Sequence, residues 1–338
     1  MAGPDHRVKE YARPHSLETM LNELNSNLAC SNKKFETDSS EKFSKIFLVG
    51  PHRSGSTVFM QWLAKTGLVA YPTNLLSRFY GVPLVGAKIQ QLLTDAKYNF
   101  RDEILDFNSD IDFKSENGKT KGALAPNEFW YFWRRYLPFD DLDYMPAEKL
   151  SKQGNLPGLR SELNELANIF EKPFLMKAMI INQNIPELAE QFDKSLFIWI
   201  RREPIYNIQS ALEARKRQYG DIKKWYSFKI KEYSILKNLD PIESVAGQIA
   251  SINRSVEEGL SMLPDQKKLI IDYEKFCQNP QQYYKEVTQR LVQQNGANPE
   301  RVPHYTGESE FKSTNYWRLR EYSQMQTERA YRNFLKNC

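Results

Sequence analysis

The chain has 338 residues, 41% of them hydrophobic and 26% charged, which is enough to bury a sizeable core and ordinary for one large α/β domain. Its net charge of +5, from 47 basic and 42 acidic residues, is too mild for a dedicated nucleic-acid binder and suits a site that gathers a few phosphate groups. No run approaches the roughly 18 apolar residues of a membrane span, no secretory signal is visible, and Cys30, Cys277 and Cys338 stand at no metal-ligand spacing, so a reducing, cytoplasmic location is expected.

Residues 1–44 are polar, with a short helix around Leu17 to Leu28, and read as a lead-in outside the core of a single domain spanning 45–338. Four short apolar runs then read as strands covered on both faces: Ile46 to Val49, Phe174 to Met176, Leu196 to Ile200 and Leu269 to Ile271. Helices separate them. Ser56 to Lys65 carries Val58, Phe59, Trp62 and Leu63 on one stripe, with Gly67 as its stop. Pro204 opens another helix that buries Ile205, Ile208 and Leu212, and further helices are expected over 222–238, 242–262 and 280–294. Alternating strands and helices imply a doubly wound, mostly parallel α/β sheet flanked by helices, with ligands at the carboxyl ends of the strands.

The most informative stretch joins the first strand to the first core helix: Val49-Gly50-Pro51-His52-Arg53-Ser54-Gly55-Ser56-Thr57. Small residues let a phosphate approach the main chain, and the free N–H groups of a helix start point at it. Gly50, Gly55 and Thr57 keep the spacing of the nucleoside-triphosphate loop, but serine stands at position 56 where that loop has lysine. The basic residue is instead Arg53, which suits a donor with one phosphate and one sulfate.

This segment resembles the 5′-phosphosulfate loop of the sulfotransferase family, in the R-S-G-[ST]-[ST] form. The family's second hallmark, a strand ending in Arg with Ser eight positions later, is matched by Arg202 and Ser210 around Pro204. Arg201 is the alternative anchor if the register slips by one. A third echo is Asp272-Tyr273-Glu274 after the last strand, read as structural. The resemblance spans about residues 45–295 and implies a P-loop-like fold. It also implies the donor 3′-phosphoadenosine 5′-phosphosulfate (PAPS), the product 3′-phosphoadenosine 5′-phosphate (PAP), a carbohydrate, lipid or small-molecule acceptor, and no metal. On it, the cofactor-binding residues are Pro51, His52, Arg53, Ser54, Gly55, Ser56 and Thr57, with Arg202 and Ser210 at the 3′-phosphate. Arg53 would stabilise charge on the leaving phosphate. His6, His15, His52 and His304 are scattered and form no metal-ligand cluster.

The acceptor hydroxyl needs a general base. Where some bacterial members carry a Glu in a P-x-E setting, this chain reads Pro72-Thr73-Asn74, and an amide takes no proton. The similar string Pro126-Asn127-Glu128 makes Glu128 the first choice, against a helix-capping role, and His52 the second. Lys177, at the end of the second strand, is read as a surface lysine before a sulfate ligand. The aromatic stretch from Phe129 to Phe139 is read as core before acceptor wall, and Arg215 to Arg217 as charges favouring a helix end. The family's late R-K-G triplet is absent, with Lys312, Arg318 and Arg320 as candidate replacements, and loops 72–125 and 138–160 are expected to set acceptor choice. Two other readings stand beside the transferase: a P-loop kinase, and an inactive donor-binding scaffold.

Overall fold

Each apolar run predicted as a strand is one, extended by a residue or two. In a computed structural model, described over residues 7–32, 38–98, 101, 103–104, 113, 115–116, 119–139 and 142–336, α1 (His15–Asn32) precedes β1 (Lys45–Val49), α2 (Ser56–Lys65) and α3 (Pro83–Thr94). A two-residue antiparallel pair, β2 (Ser115–Glu116) and β3 (Lys119–Thr120), leads to α4 (Trp130–Trp133), α5 (Ala147–Gln153) and α6 (Leu156–Phe170). Then come β4 (Phe174–Lys177), α7 (Ile185–Ala189), β5 (Ser195–Arg201), α8 (Pro204–Tyr219), α9 (Tyr233–Leu236) and α10 (Pro241–Ser261). The chain closes with β6 (Lys268–Asp272), α11 (Tyr273–Gln278), α12 (Pro280–Gln293) and α13 (Gln324–Lys336).

The main sheet has the order β4-β1-β5-β6 and every neighbouring pair is parallel. Alternate residues of β1 face opposite layers, because successive side chains in a strand point to opposite faces. Phe47 and Val49 pack with Phe197, Trp199 and the buried faces of α3, α6 and α10, whereas Ile46 and Leu48 pack with α2, α11 and α12. Both faces are therefore covered, which is why these strands read as unbroken apolar runs. From β1 the chain goes outward to β4 and then crosses back over β1 to β5. The strand order reverses at this switch point, leaving a crevice beyond the carboxyl ends of β1 and β5.

Two expectations are corrected and one, that the aromatic stretch is core, is borne out. Over 222–238 the chain forms only the single turn α9, since Gly220 ends α8 in a left-handed conformation and the next helix starts at Pro241. The polar lead-in packs on the domain: Leu21 and Asn25 are buried, and Asn25 Nδ2 donates to the Arg78 carbonyl at 2.9 Å. The four residues of α4 bury Phe132 and Trp133, with Phe129 and Tyr136 beside them, so the aromatic stretch is largely core, yet Trp130 and Tyr131 remain partly exposed. The Cys30 side chain, Cys338 and part of loop 72–125 lie outside the described residues. Among the described residues no helix is long and apolar enough to cross a membrane.

Candidate active site

The loop after β1 is shaped by two glycines at positive φ. Gly50 (φ 120°) passes beside Trp199, whose Cδ1 would lie 2.9 Å from a Cβ there, and at Gly55 (φ 100°) a Cβ would overlap the Tyr273 ring. Side chains from three other elements clamp the loop. Asn182, just after β4, bonds Gly50 twice, accepting from its N–H at 2.9 Å and donating to its carbonyl at 2.8 Å. Asn207 of α8 donates to the His52 carbonyl at 2.7 Å, and Arg202 donates to the Arg53 carbonyl at 3.0 Å. Held this way, the main-chain N–H groups of residues 53–57 make no hydrogen bond to the protein among the described residues. Five adjacent unsatisfied donors at a helix start make a site for an anion.

A cavity of about 410 Å³ opens over this loop. His52, Arg53, Gly55, Ser56 and Thr57 line it together with Glu128, Arg202 and Ser210. Pro51 and Ser54 are buried but not on its wall. Arg53, itself at φ 65°, donates from Nε to Ser210 Oγ at 3.1 Å. Arg202 is 7% exposed, and burial pulls its guanidinium below the usual value. Three of its five N–H donors are engaged: Nε on Asn315 Oδ1 at 2.8 Å, one Nη on the Arg53 carbonyl and the other on Thr314 Oγ1 at 3.1 Å. Arg201, the alternative anchor, instead pairs with Asp272 at 2.7 Å, away from the cavity.

The acceptor-side candidates are equally well defined. Glu128 does not cap α4. Its Oε2 accepts from the Trp130 indole at 2.6 Å and its Oε1 from Lys177 Nζ at 2.9 Å. Burial works to raise the Glu128 pKa, but the Lys177 charge and hydrogen bond, the Trp130 N–H and Arg53 outweigh it, and the carboxyl sits below its ordinary range. Lys177 is no surface lysine: it is buried at the end of β4, with Nζ also 2.7 Å from Thr57 Oγ1. His52 is buried with neither ring nitrogen hydrogen-bonded, its ring edge-on to Tyr226 at 5.1 Å. Burial, then Arg215 and Arg53, bring its pKa down to about 3, so the imidazole is neutral and weakly basic at neutral pH.

Several wall residues carry no local sequence signal. Tyr226 and Met179 line the cavity, as do Thr314 and Tyr316 from the segment before α13; Tyr273, which the sequence marked but as structural, lines it too. That segment is strapped across α8, where Gln209 donates to the Tyr316 carbonyl at 2.9 Å and Arg318 forms a two-pronged pair with Glu213 at 2.6 and 2.7 Å. Of the three late basic candidates only Arg318 lines the cavity; Lys312 and Arg320 are exposed elsewhere. Arg217 does more than charge a helix end, since it lines the cavity and has no partner among the described residues. Arg215 is buried against Trp225 and bonds Ser244 and Gln248 rather than a carboxylate. Five cationic side chains (Arg53, Lys177, Arg202, Arg217, Arg318) thus face two carboxylates, Glu128 and Glu213. Among the described residues no group of three or more His, Cys, Asp or Glu side chains is arranged to hold a metal ion.

A parallel sheet whose switch point opens onto free N–H groups and an excess of positive charge defines an α/β protein built to hold a multiply charged anion. The sequence names the family: residues 45–292 match the family model described as "Sulfotransferase family", and the chain belongs to that family. Its fold is similar to that of sulfotransferase STF1 from Mycobacterium tuberculosis H37Rv, with a TM-score of 0.52 and 11% identity over 93% of this chain and 81% of that one. It is likewise similar to sulfotransferase STF9 from Mycobacterium avium, with a TM-score of 0.50 and 12% identity over 95% of this chain and 81% of that one. No curated protein sequence matches the chain.

Proposed function

We propose that this sulfotransferase takes its sulfuryl group from PAPS and delivers it to an acceptor hydroxyl on a small molecule, lipid or glycan. The observation that carries the reading is the meeting of the 53–57 loop with Arg202 and Ser210 on one cavity wall, giving one anion site for each end of the donor. The free N–H groups suit the 5′-phosphosulfate. Arg202, with two N–H donors left, and Ser210 suit the ribose 3′-phosphate, a charge-assisted arrangement. In the reaction the acceptor oxygen attacks sulfur while the bond from sulfur to the bridging oxygen breaks, and its electron pair goes to the 5′-phosphate. Arg53 meets that developing charge, and Glu128 takes the acceptor's proton.

The kinase alternative conflicts with Thr57. In a nucleoside-triphosphate loop this hydroxyl holds magnesium, but here it accepts a hydrogen bond from the Lys177 ammonium at 2.7 Å, and an ammonium repels a divalent cation. Calorimetric binding of PAP, with ATP and magnesium as the control, tests the choice. Tight magnesium-independent PAP binding is expected, and a preference for ATP with magnesium would overturn the donor assignment. A panel of hydroxyl acceptors assayed for PAP release then separates an enzyme from a donor-binding scaffold.

A further inference from the structure

Lys177 stands where the anion site meets the acceptor side. It reaches there because β4 pairs with β1 in a register that sets Lys177 beside Leu48, just before the loop begins. Its ammonium touches Thr57 Oγ1, at the start of α2, and Glu128 Oε1, on the far wall. Lys177 is 6% exposed, and its one buried ammonium bridges the carboxylate and the loop.

We infer that the donor's sulfuryl group and Glu128 compete for the Lys177 ammonium, so that donor binding loosens the carboxylate and arms it to take the acceptor's proton. The inference rests on the proposed donor and on Glu128 as the base. Without donor, Lys177 occupies one oxygen of Glu128 and the Trp130 N–H occupies the other, so the carboxylate is held charged and a poor proton acceptor. The groups facing it are Lys177 from β4, Arg53 from the loop, Trp130 beside it and Tyr226 from the segment after α8, with neutral His52 on the same wall. A sulfuryl oxygen in the loop draws the ammonium toward itself and adds a negative charge near Glu128. Both changes raise the proton affinity of a carboxylate that burial already pushes upward. Lys177 thereby makes the order of events matter: the base becomes competent after the donor is seated. An acceptor that arrives first meets a carboxylate already occupied.

The test is calorimetry at pH 6 in two buffers of different ionisation heat, which counts the protons taken up with the ligand. Wild type should take up a larger fraction of a proton with PAPS than with PAP, and Glu128→Gln should remove the difference. Lys177→Met, checked for folding by circular dichroism, should weaken PAPS by about 10- to 100-fold, as for a lost charged hydrogen bond, while leaving PAP within about twofold. Equal proton uptake in wild type and Glu128→Gln would overturn the inference, as would PAP and PAPS weakening together, or neither weakening, in Lys177→Met. If wild type binds neither PAP nor PAPS, the donor assignment falls first and this inference with it.

Discussion

Arg53 and Ser210 lie 157 positions apart, yet Arg53 Nε donates to Ser210 Oγ at 3.1 Å across the mouth of the loop. The bond joins the two anion sites: the hydroxyl suited to the 3′-phosphate also aims the guanidinium suited to the bridging oxygen. Arg53→Ala should lower turnover by about 10²- to 10³-fold, as for the loss of one preorganised charge-stabilising donor. Ser210→Ala, which leaves the arginine present but unaimed, should cost about 0.5–1.5 kcal/mol. PAP release measured against one acceptor decides both, and a near-normal rate for Arg53→Ala would remove it from the chemistry.

Gly55 tests the loop itself. Its φ of 100° disfavours any side chain, and a Cβ there meets the Tyr273 ring. Gly55→Ala should therefore cost about 1–3 kcal/mol of strain and nearly abolish PAP binding. Thermal unfolding and calorimetry on the same sample read the two effects, and unchanged PAP affinity would show that the anion is held elsewhere.

Asn74 occupies the place where a catalytic carboxylate was considered and does a different job. It donates to the Gly122 carbonyl at 2.9 Å and accepts from Asn127 Nδ2 at 2.8 Å, next to Glu128. Asn74→Ala should lower kcat while leaving PAP affinity within about twofold, because it frees the segment that aims Glu128 and leaves the loop intact. Equal losses in both would assign Asn74 to general stability.

His52 predicts a pH dependence of stability. Its folded pKa of about 3 lies below the ordinary 6.5 because of burial, then Arg215 and Arg53. Between these values the unfolded chain binds a proton at His52 and the folded chain does not, so stability falls as pH drops through 6.5 toward 3, by at most about 1.4 kcal/mol per unit for one group. Urea unfolding at pH 7, 6 and 5 should show wild type losing stability relative to His52→Gln, and a constant difference would place a proton or partner on the ring. Arg215→Met should raise the His52 titration midpoint, read from its imidazole NMR signals.

β1, β4 and β5 were legible because they are covered on both faces and so appear as local runs of apolar residues, β6 because its run is apolar even though Ile270 is exposed, and the loop because its chemistry lies within nine consecutive positions. Asn182, Asn207 and Thr314 were not, since common polar residues acquire meaning only from partners more than a hundred positions away. Lys177 was misjudged for a related reason. A lysine after three apolar residues looks like a strand end reaching solvent, and only the cavity wall opposite, with Glu128 and Thr57, makes it an interior group. Residues 222–238 misled through helix-compatible composition, because Gln248 of α10 donates to the Tyr226 and Phe228 carbonyls that a helix would use.

The clamp on the loop carries a consequence for biosynthesis. Gly50 waits for Asn182, 132 positions later, His52 for Asn207, 155 later, and Arg202 for Thr314, a further 112. Synthesis must therefore pass Thr314 before the clamp on the loop can close. A nascent or prematurely terminated product lacking the segment around Thr314 would hold the sheet but not the finished cavity. On the proposed donor, binding thus requires synthesis through Thr314, and shorter chains should not bind it.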